Sequence, residues 1–214
     1  MTIKWLGHSC FLITTESGAR ILMDPPDASV GYELSPVECD AVTVSHAHYD
    51  HCNTALALGE PEIVSCPGEY RVKGVGITGV STWHDEVLGK KRGPNTVFVL
   101  EAEGMRMAHL GDLGAMPGEE ALAAMRPVDI ALIPVGGVYT VDAEQARQVA
   151  NALAPKVLIP MHYKTPAISF ELEELGAFLS RVRDCSVHYL RQSEAHLSKN
   201  SLGTDRVLVL DYAK

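Results

Sequence analysis

Three imidazoles and one carboxylate fall within six residues in Ser45-His46-Ala47-His48-Tyr49-Asp50-His51, directly after the apolar run Ala41–Val44. Along an extended or turning segment side chains alternate with period two, so His46 and His48 point the same way. Asp50 and His51 lie beyond the bend and reach the same space from another side. Such a geometry suits two adjacent metal ions. Neutral imidazole nitrogens and carboxylate oxygens are ligands for zinc, iron and manganese alike, so the residue types alone leave the metal open. A polar loop with solvated histidines accounts for a single His and accounts poorly for this density of donors.

Further ligands must come from distant sequence, and candidates stand where other apolar runs end: His84 in Thr82-Trp83-His84-Asp85, Asp112 in His109-Leu110-Gly111-Asp112, and His162 in Pro160-Met161-His162-Tyr163. Taken singly each is weak. A lone His after a strand is more often a hydrogen-bonded loop or core residue, and an Asp beside Gly is usually a turn former. Together with the cluster they complete a set.

The elements that must position this set read as strands first. Short β-rich runs punctuated by Gly, Pro and Asp occupy Ile3–Trp5, Cys10–Thr14, Arg20–Met23, Ala41–Ser45, Glu62–Ser65, Val75–Val80, Thr96–Glu101 and Met105–His109. Longer alternation follows, with helices expected over Gly118–Met125, Asp142–Leu153 and Glu171–Arg183, Asp142 serving as an N-cap. Strands are expected between and after them at Asp129–Pro134, Lys156–Pro160, Val187–Leu190 and Arg206–Leu210. The pattern predicts an α/β or α+β chain whose sheets are covered by helices. No linker, low-complexity tract or repeat divides it, so residues 1–214 are expected to form one domain.

Composition narrows the partners. The 214 residues carry a formal net charge of −9, with 46% hydrophobic and 6% aromatic residues, as for a soluble globular domain. Apolar stretches such as Ile130–Val135 and Val157–Met161 are far shorter than the ~20 residues that span a bilayer, and no basic region precedes an apolar run at the N-terminus. A cytoplasmic protein without membrane contact is expected. The acidic balance repels a polyanion, which disfavours nucleic acid as a partner. Five cysteines at irregular spacing fit neither a disulfide framework nor a CxxC pair, and read as reduced thiols. Only Cys52, next to the histidine cluster, has an alternative reading as a pocket-lining thiol.

His46, His48, Asp50 and His51 match the HxHxDH signature of the metallo-β-lactamase-fold hydrolases, and His84, Asp112 and His162 match the later His, Asp and His. The chain resembles that superfamily along nearly its whole length. Trp5–Cys10, Pro67–Tyr70, His109–Gly114, Pro134–Thr140 and Pro160–Thr165 look like a small single-domain branch related to ascorbate-6-phosphate lactonases, a group of Zn-dependent hydrolases. The resemblance implies a four-layer αββα sandwich, two mixed sheets face to face with helices outside and the metal site at one edge. It also implies that His46, His48 and His84 hold one ion and Asp50, His51 and His162 the other, with Asp112 bridging.

On that assignment two divalent ions, most simply Zn with Mn or Fe as alternatives, bring a charge of about +4, and Asp50, Asp112 and a bridging hydroxide remove about three. A residual charge of about +1 favours anionic substrates. The expected activity is hydrolysis of a small anionic ester, lactone or phosphodiester by the bridging hydroxide, with Asp50 at the reacting centre and no serine or cysteine nucleophile. Other readings on the same ligand set are iron-dependent oxygen or thiol chemistry, nuclease activity and a non-catalytic metal-binding domain. His8, in a Gly-His-Ser turn, is a candidate for substrate contact or support of the site, balanced against a buried structural imidazole. His109 is expected to brace the strand end. Tyr139 and Tyr163 are candidates to hydrogen-bond a leaving oxygen, and Lys164 to hold a substrate carboxylate or phosphate. Lys90-Lys91-Arg92 reads as a solvated loop that a position after His84 could turn into a lid. A homo-oligomer is expected only from the resemblance.

Two motifs lead elsewhere and are set aside. Gly74–Gly79 satisfies GxGxxG, but Val80-Ser81-Thr82-Trp83 follows instead of a helix, so glycines in a twisted strand are expected. Ser45 lies beside histidines, yet adjacent residues on a strand end cannot form a serine relay and no GxSxG elbow occurs.

Overall fold

The computed structural model describes residues 1–204 and 206–214. The first part of the chain is nearly all strand: β1 (Thr2–Gly7), β2 (Cys10–Thr14), β3 (Arg20–Met23), β4 (Val37–Glu38), β5 (Ala41–Thr43), β6 (Ala57–Leu58), β7 (Glu62–Val64), β8 (Gly68–Val72), β9 (Val75–Trp83), β10 (Pro94–Ala102) and β11 (Met105–His109). Helices then alternate with strands: α1 (Glu119–Met125), β12 (Ile130–Pro134), α2 (Ala143–Leu153), β13 (Val157–Met161), α3 (Leu175–Leu179), β14 (Ser186–Tyr189), β15 (Glu194–His196) and β16 (Arg206–Val209).

Two mixed sheets face each other. A six-stranded sheet runs β15-β1-β2-β3-β5-β7 and an eight-stranded sheet runs β14-β16-β13-β12-β11-β10-β9-β8, while β4 and β6 form a separate ribbon. In the first sheet β3, β5 and β7 are parallel and the other pairs antiparallel; in the second β8 to β11 are antiparallel and the rest parallel. The two-residue alternation of the strands sorts their side chains. Trp5, Phe11, Ile13, Ile21 and Met23 point into the inter-sheet core with Phe98, Leu100, Met107 and Leu132. Leu6, Leu12, Leu22, Val42 and Val44 point the other way into a second buried cluster.

The cover on the two sheets differs. α1 and α2 lie on the eight-stranded sheet, where α2 buries Ala146, Val149, Ala150 and Leu153, and α3 packs on α2. The outer cluster of the six-stranded sheet is instead closed by Leu34, Val37, Leu56 and Ala57 from loops, a short 3-10 turn and the β4–β6 ribbon. Apolar residues on both faces of a strand demand burial on both sides, and a loop meets that demand as well as a helix.

Local chemistry explains where helices begin and fail. Asp142 caps α2 as expected, its carboxylate accepting from Gln145 N at 2.8 Å while Gln145 Oε1 accepts from Asp142 N at 3.0 Å, a capping box that contributes on the order of 1 kcal/mol. The helix expected over Glu171–Arg183 is corrected to the single short α3. Its first residues are tied into extended backbone instead, with Glu173 N donating to Gly136 O at 2.8 Å and Lys164 N donating to Glu173 O at 2.9 Å. Gly74 lies in the turn before β9, and Val75 to Gly79 lie in that strand. The glycine-rich stretch does not open a helix.

β1, β3 and β5 share one direction in their sheet, and β9, β11, β12 and β13 share one in theirs. Their C-terminal ends, followed by His8, Asp24, Ser45–His51, His84, Asp112 and His162, therefore lie at a common edge of the sandwich.

Candidate metal centre

Three sets of donor atoms converge at that edge, each set within 4.8 Å of one another: His46, His48 and His84; His46, His51 and Asp112; His8, Asp50, His51 and His162. Asp112 stands in the middle. Its Oδ2 lies 3.3 Å from both His84 Nε2 and His162 Nε2 and 3.9 Å from His46 Nε2, and its Oδ1 lies 3.2 Å from His51 Nε2. Asp50 Oδ2 is 3.7 Å from His51 Nε2 and 3.2 Å from His8 Nε2. All seven positions singled out by spacing thus meet in one place, and His8 joins the Asp50 side as an eighth group.

The alignment of these atoms is as informative as their distances. His46 Nε2, His51 Nε2 and Asp112 Oδ1 are buried with no hydrogen-bond partner among the described residues. Buried polar atoms are normally satisfied, because each orphan costs about 1–3 kcal/mol. Donors that approach to 3.2 Å yet do not align on each other point at a shared position, as ligands of a common cation do. The donor set fits divalent metal on chemistry as well: imidazole and carboxylate, without thiolate.

Electrostatics treat the donors differently. Burial, with His51 close by, pushes the His46 imidazole down to about 3, and burial likewise lowers His84. Both are held neutral, the form that coordinates metal. Burial pulls His51 down too, but Asp112 and Asp24 on either side outweigh it and raise the imidazole well above its usual range. Asp112 shows the reciprocal effect: burial pushes it up, and the surrounding His162 and His51 carry it well below the ordinary carboxylate range. Burial and His162 lower His8 to about 4.

A supporting layer orients the donors. Asp24 is fully buried and accepts from Ser45 N at 2.8 Å, from Ser45 Oγ at 2.5 Å and from His51 Nδ1 at 2.8 Å, which leaves His51 Nε2 facing the centre. Asn95 Oδ1 accepts from Asp112 N at 2.9 Å, while its Nδ2 donates to Leu110 O and Thr82 Oγ1. Gly111 sits at φ 55 where a Cβ would come within 2.5 Å of Asn95 Oδ1, so only glycine lets the chain turn Asp112 inward. His8 and His162 (both φ 52) and Asp24 (φ 43) also occupy the left-handed region, a strain of about 1–3 kcal/mol each that clusters at this edge. His109 braces the two sheets, its Nε2 donating to Ser9 O at 2.8 Å while Nδ1 accepts from Gly111 N at 3.2 Å.

The centre opens on a cavity of about 460 Å³ lined by Tyr49, His48, Asp50, His84, Asp112 and Tyr139, with Phe170 and Arg92 at its margin. Tyr139 lines this cavity. Tyr163 and Lys164 are corrected. Tyr163 is 7% exposed and packs its ring 5.3 Å from Trp5, away from the cavity. Lys164 Nζ donates to Ile168 O at 2.6 Å and Phe170 O at 2.7 Å, clamping its own loop. The left-handed turn at His162 sends the two following residues away from the site. Cys52 does not line the cavity either; it packs against the outer cluster of the six-stranded sheet.

Sequence reasoning missed Asp24, Asn95 and Phe170 and ranked Arg92 below Lys164. A signal existed for Asp24, since it directly follows the apolar run Ile21–Met23 just as Asp112 follows its own. Asp85 is also buried beside the site: burial pushes its carboxyl up, but the backbone N–H groups of Arg92, Lys91, Val87 and Gly89 outweigh this and hold it at about 2.

Residues 2–162 match the β-lactamase superfamily domain. A UPF0173 metal-dependent hydrolase of Methanoculleus marisnigri is 31% identical, the match covering 91% of this chain and 96% of that protein. A Thermotoga maritima structure assigned as a Zn-dependent hydrolase of the metallo-β-lactamase superfamily superposes with a TM-score of 0.80 at 35% identity, over 98% of each chain. Igni18, a metallo hydrolase from Ignicoccus hospitalis, gives a TM-score of 0.70 at 22% identity over 100% of this chain and 96% of its own, a likeness of fold. The chain belongs to the metallo-β-lactamase superfamily and, within it, to the UPF0173 metal-dependent hydrolase family.

Proposed function

We propose that the protein is a binuclear zinc hydrolase of a small anionic ester, lactone or phosphodiester, related to the ascorbate-6-phosphate lactonases. The observation that carries this reading is the trio of buried, unpartnered donor atoms on His46, His51 and Asp112, with Asp112 also lining the open cavity. His46, His48 and His84 would hold one ion, Asp50, His51 and His162 the other, and Asp112 would bridge them. Two such ions, when bound, would supply hydroxide at neutral pH, by lowering the pKa of water to about 7, and would polarise the carbonyl or phosphoryl oxygen under attack.

The chain's own groups do the rest. Asp24 fixes the tautomer of His51 by accepting its Nδ1–H, and His8 steadies Asp50 through the 3.2 Å contact with Oδ2. Tyr49 and Tyr139 flank the cavity mouth and limit water at the bound substrate. Tyr139 lines the cavity and is 38% exposed, and in this reading it would donate its hydroxyl hydrogen to a leaving oxygen. A small-molecule substrate suits the cavity volume, and the net charge of −9 argues against nucleic acid.

Hydrolysis of a lactone reporter and a phosphodiester reporter by zinc-loaded protein tests the reading. Turnover of at least one, abolished by chelation and restored by zinc, is expected. Zinc-loaded protein that hydrolyses neither, or turnover that survives chelation, contradicts it. Iron in the purified protein with oxygen consumption would instead establish redox chemistry on the same ligands.

A further inference from the structure

Two cavities meet at Arg92. Beside the one over the metal centre lies another of about 460 Å³, reaching from His46 and His48 past Asn95 to Cys66 and Pro67, and Ala47, His48 and Arg92 line both. Among the described residues Arg92 is the only Lys or Arg lining either one. The cation therefore stands between two cavities, each lined by some of the candidate metal donors.

Its surroundings hold it there without neutralising it. The Asp85 carboxylate accepts from the backbone N–H groups of Val87, Gly89, Lys91 and Arg92 at 2.7–2.9 Å, which folds the segment back on itself and fixes where Arg92 emerges. The guanidinium lies over the Tyr139 ring, 5.6 Å from its centroid, and donates to Val138 O at 3.4 Å. Among the described residues no carboxylate lies within ion-pairing distance of it, although Lys91, Arg106, Arg126, Arg147, Lys156 and Arg181 all have one. A half-buried, preorganised fork of donors with one weak acceptor is an oxyanion receptor. Tyr139 in turn lies 6.2 Å from Phe170, so the wall next to the cation is aromatic.

We infer that Arg92 is the specificity-determining residue of the site: it receives a carboxylate or phosphate remote from the scissile bond, on a substrate whose small apolar body rests against Tyr139 and Phe170. This rests on the hydrolase reading and narrows its substrate class to esters or lactones that bear a second oxyanion. The loop that carries Arg92 is a fixed strap, and Arg92 takes the role that the sequence offers to Lys164.

A matched pair of probes tests it. 3-Phenylglutarate and 3-phenylbutyrate share one aromatic body and one carboxylate for the metal centre, and differ only in whether a second carboxylate is present. Binding of each to zinc-loaded wild type, Arg92→Gln and Arg92→Lys is measured by calorimetry. Wild type is expected to bind the diacid roughly 10–100-fold more tightly, the yield of a charge-assisted pair. Arg92→Gln should remove that gap and leave the monoacid unchanged, and Arg92→Lys should restore part of it. No gap in wild type, binding of neither acid, or an equal gap in Arg92→Gln overturns the inference. Zinc content separates the two claims: a protein that takes up no zinc yet keeps an Arg92-dependent gap refutes the hydrolase reading and leaves the oxyanion receptor standing.

Discussion

Strands β11, β12 and β13 carry charged residues at both ends, and the two ends handle charge in opposite ways. At their N-terminal ends Asp129 accepts from Arg106 N at 3.0 Å, from Lys156 Nζ at 3.0 Å and from Lys199 Nζ at 2.8 Å. Every charge there has its partner inside the chain. At their C-terminal ends Asp112 and His162 join five other imidazoles and Asp50 in a crowd whose best-placed atoms face no partner among the described residues. A network that closes on itself serves the fold, whereas a buried network left open at one point implies a cation from outside.

Substitutions at the two ends should therefore separate activity from stability. Asp112→Asn removes the carboxylate shared by both halves of the centre. It is expected to lower kcat/KM by about 10³-fold or more, a loss of roughly 4 kcal/mol of transition-state stabilisation, read by steady-state kinetics at saturating zinc. An unchanged rate would dissolve the distinction between the two ends. Asp24→Asn keeps its shape but loses the charge behind His51. Zinc affinity should fall about 10–100-fold in a chelator competition while the chain keeps its fold.

At the closed end the effects reverse. Asp129→Ala should cost about 1–2 kcal/mol in urea unfolding, because it strands the Arg106 amide while the two lysines, each more than a third exposed, are screened by water. Its kcat/KM should match wild type. Burial pushes the Asp129 carboxyl up, yet Lys199, the Arg106 amide and Lys156 outweigh it and hold it below its ordinary range. The folded group thus titrates below the unfolded one, so its contribution is complete above about pH 4 and fades as the pH falls through the folded value. Urea midpoints measured from pH 6 downward should show an acid limb that is shallower in Asp129→Asn than in wild type. Equal limbs would show that the network contributes nothing.

The comparison also explains what the sequence makes readable. Metal donors must follow strand ends, and four of them come from one turn, so His46, His48, Asp50 and His51 stand together and the later three each follow an apolar run. The strands themselves are readable because their apolar residues are contiguous and bounded by Gly, Pro and Asp. Orientation beyond a turn is not written in the same way. The positive φ at His162 decides where Tyr163 and Lys164 go, and tertiary hydrogen bonds to Gly136 and Lys164 unwind the helix expected from Glu171. Arg92 is equally opaque. Its place over the cavity depends on four amides folding around Asp85, a contact between chain neighbours that carries no periodic signature.

Zinc stoichiometry by elemental analysis, on wild type beside His48→Ala and His162→Ala, tests the central claim most directly. The account predicts about two ions per chain in wild type and about one in each variant, since the two histidines belong to different halves of the centre. A wild-type chain that binds no metal, or variants that both retain the wild-type content, would contradict it.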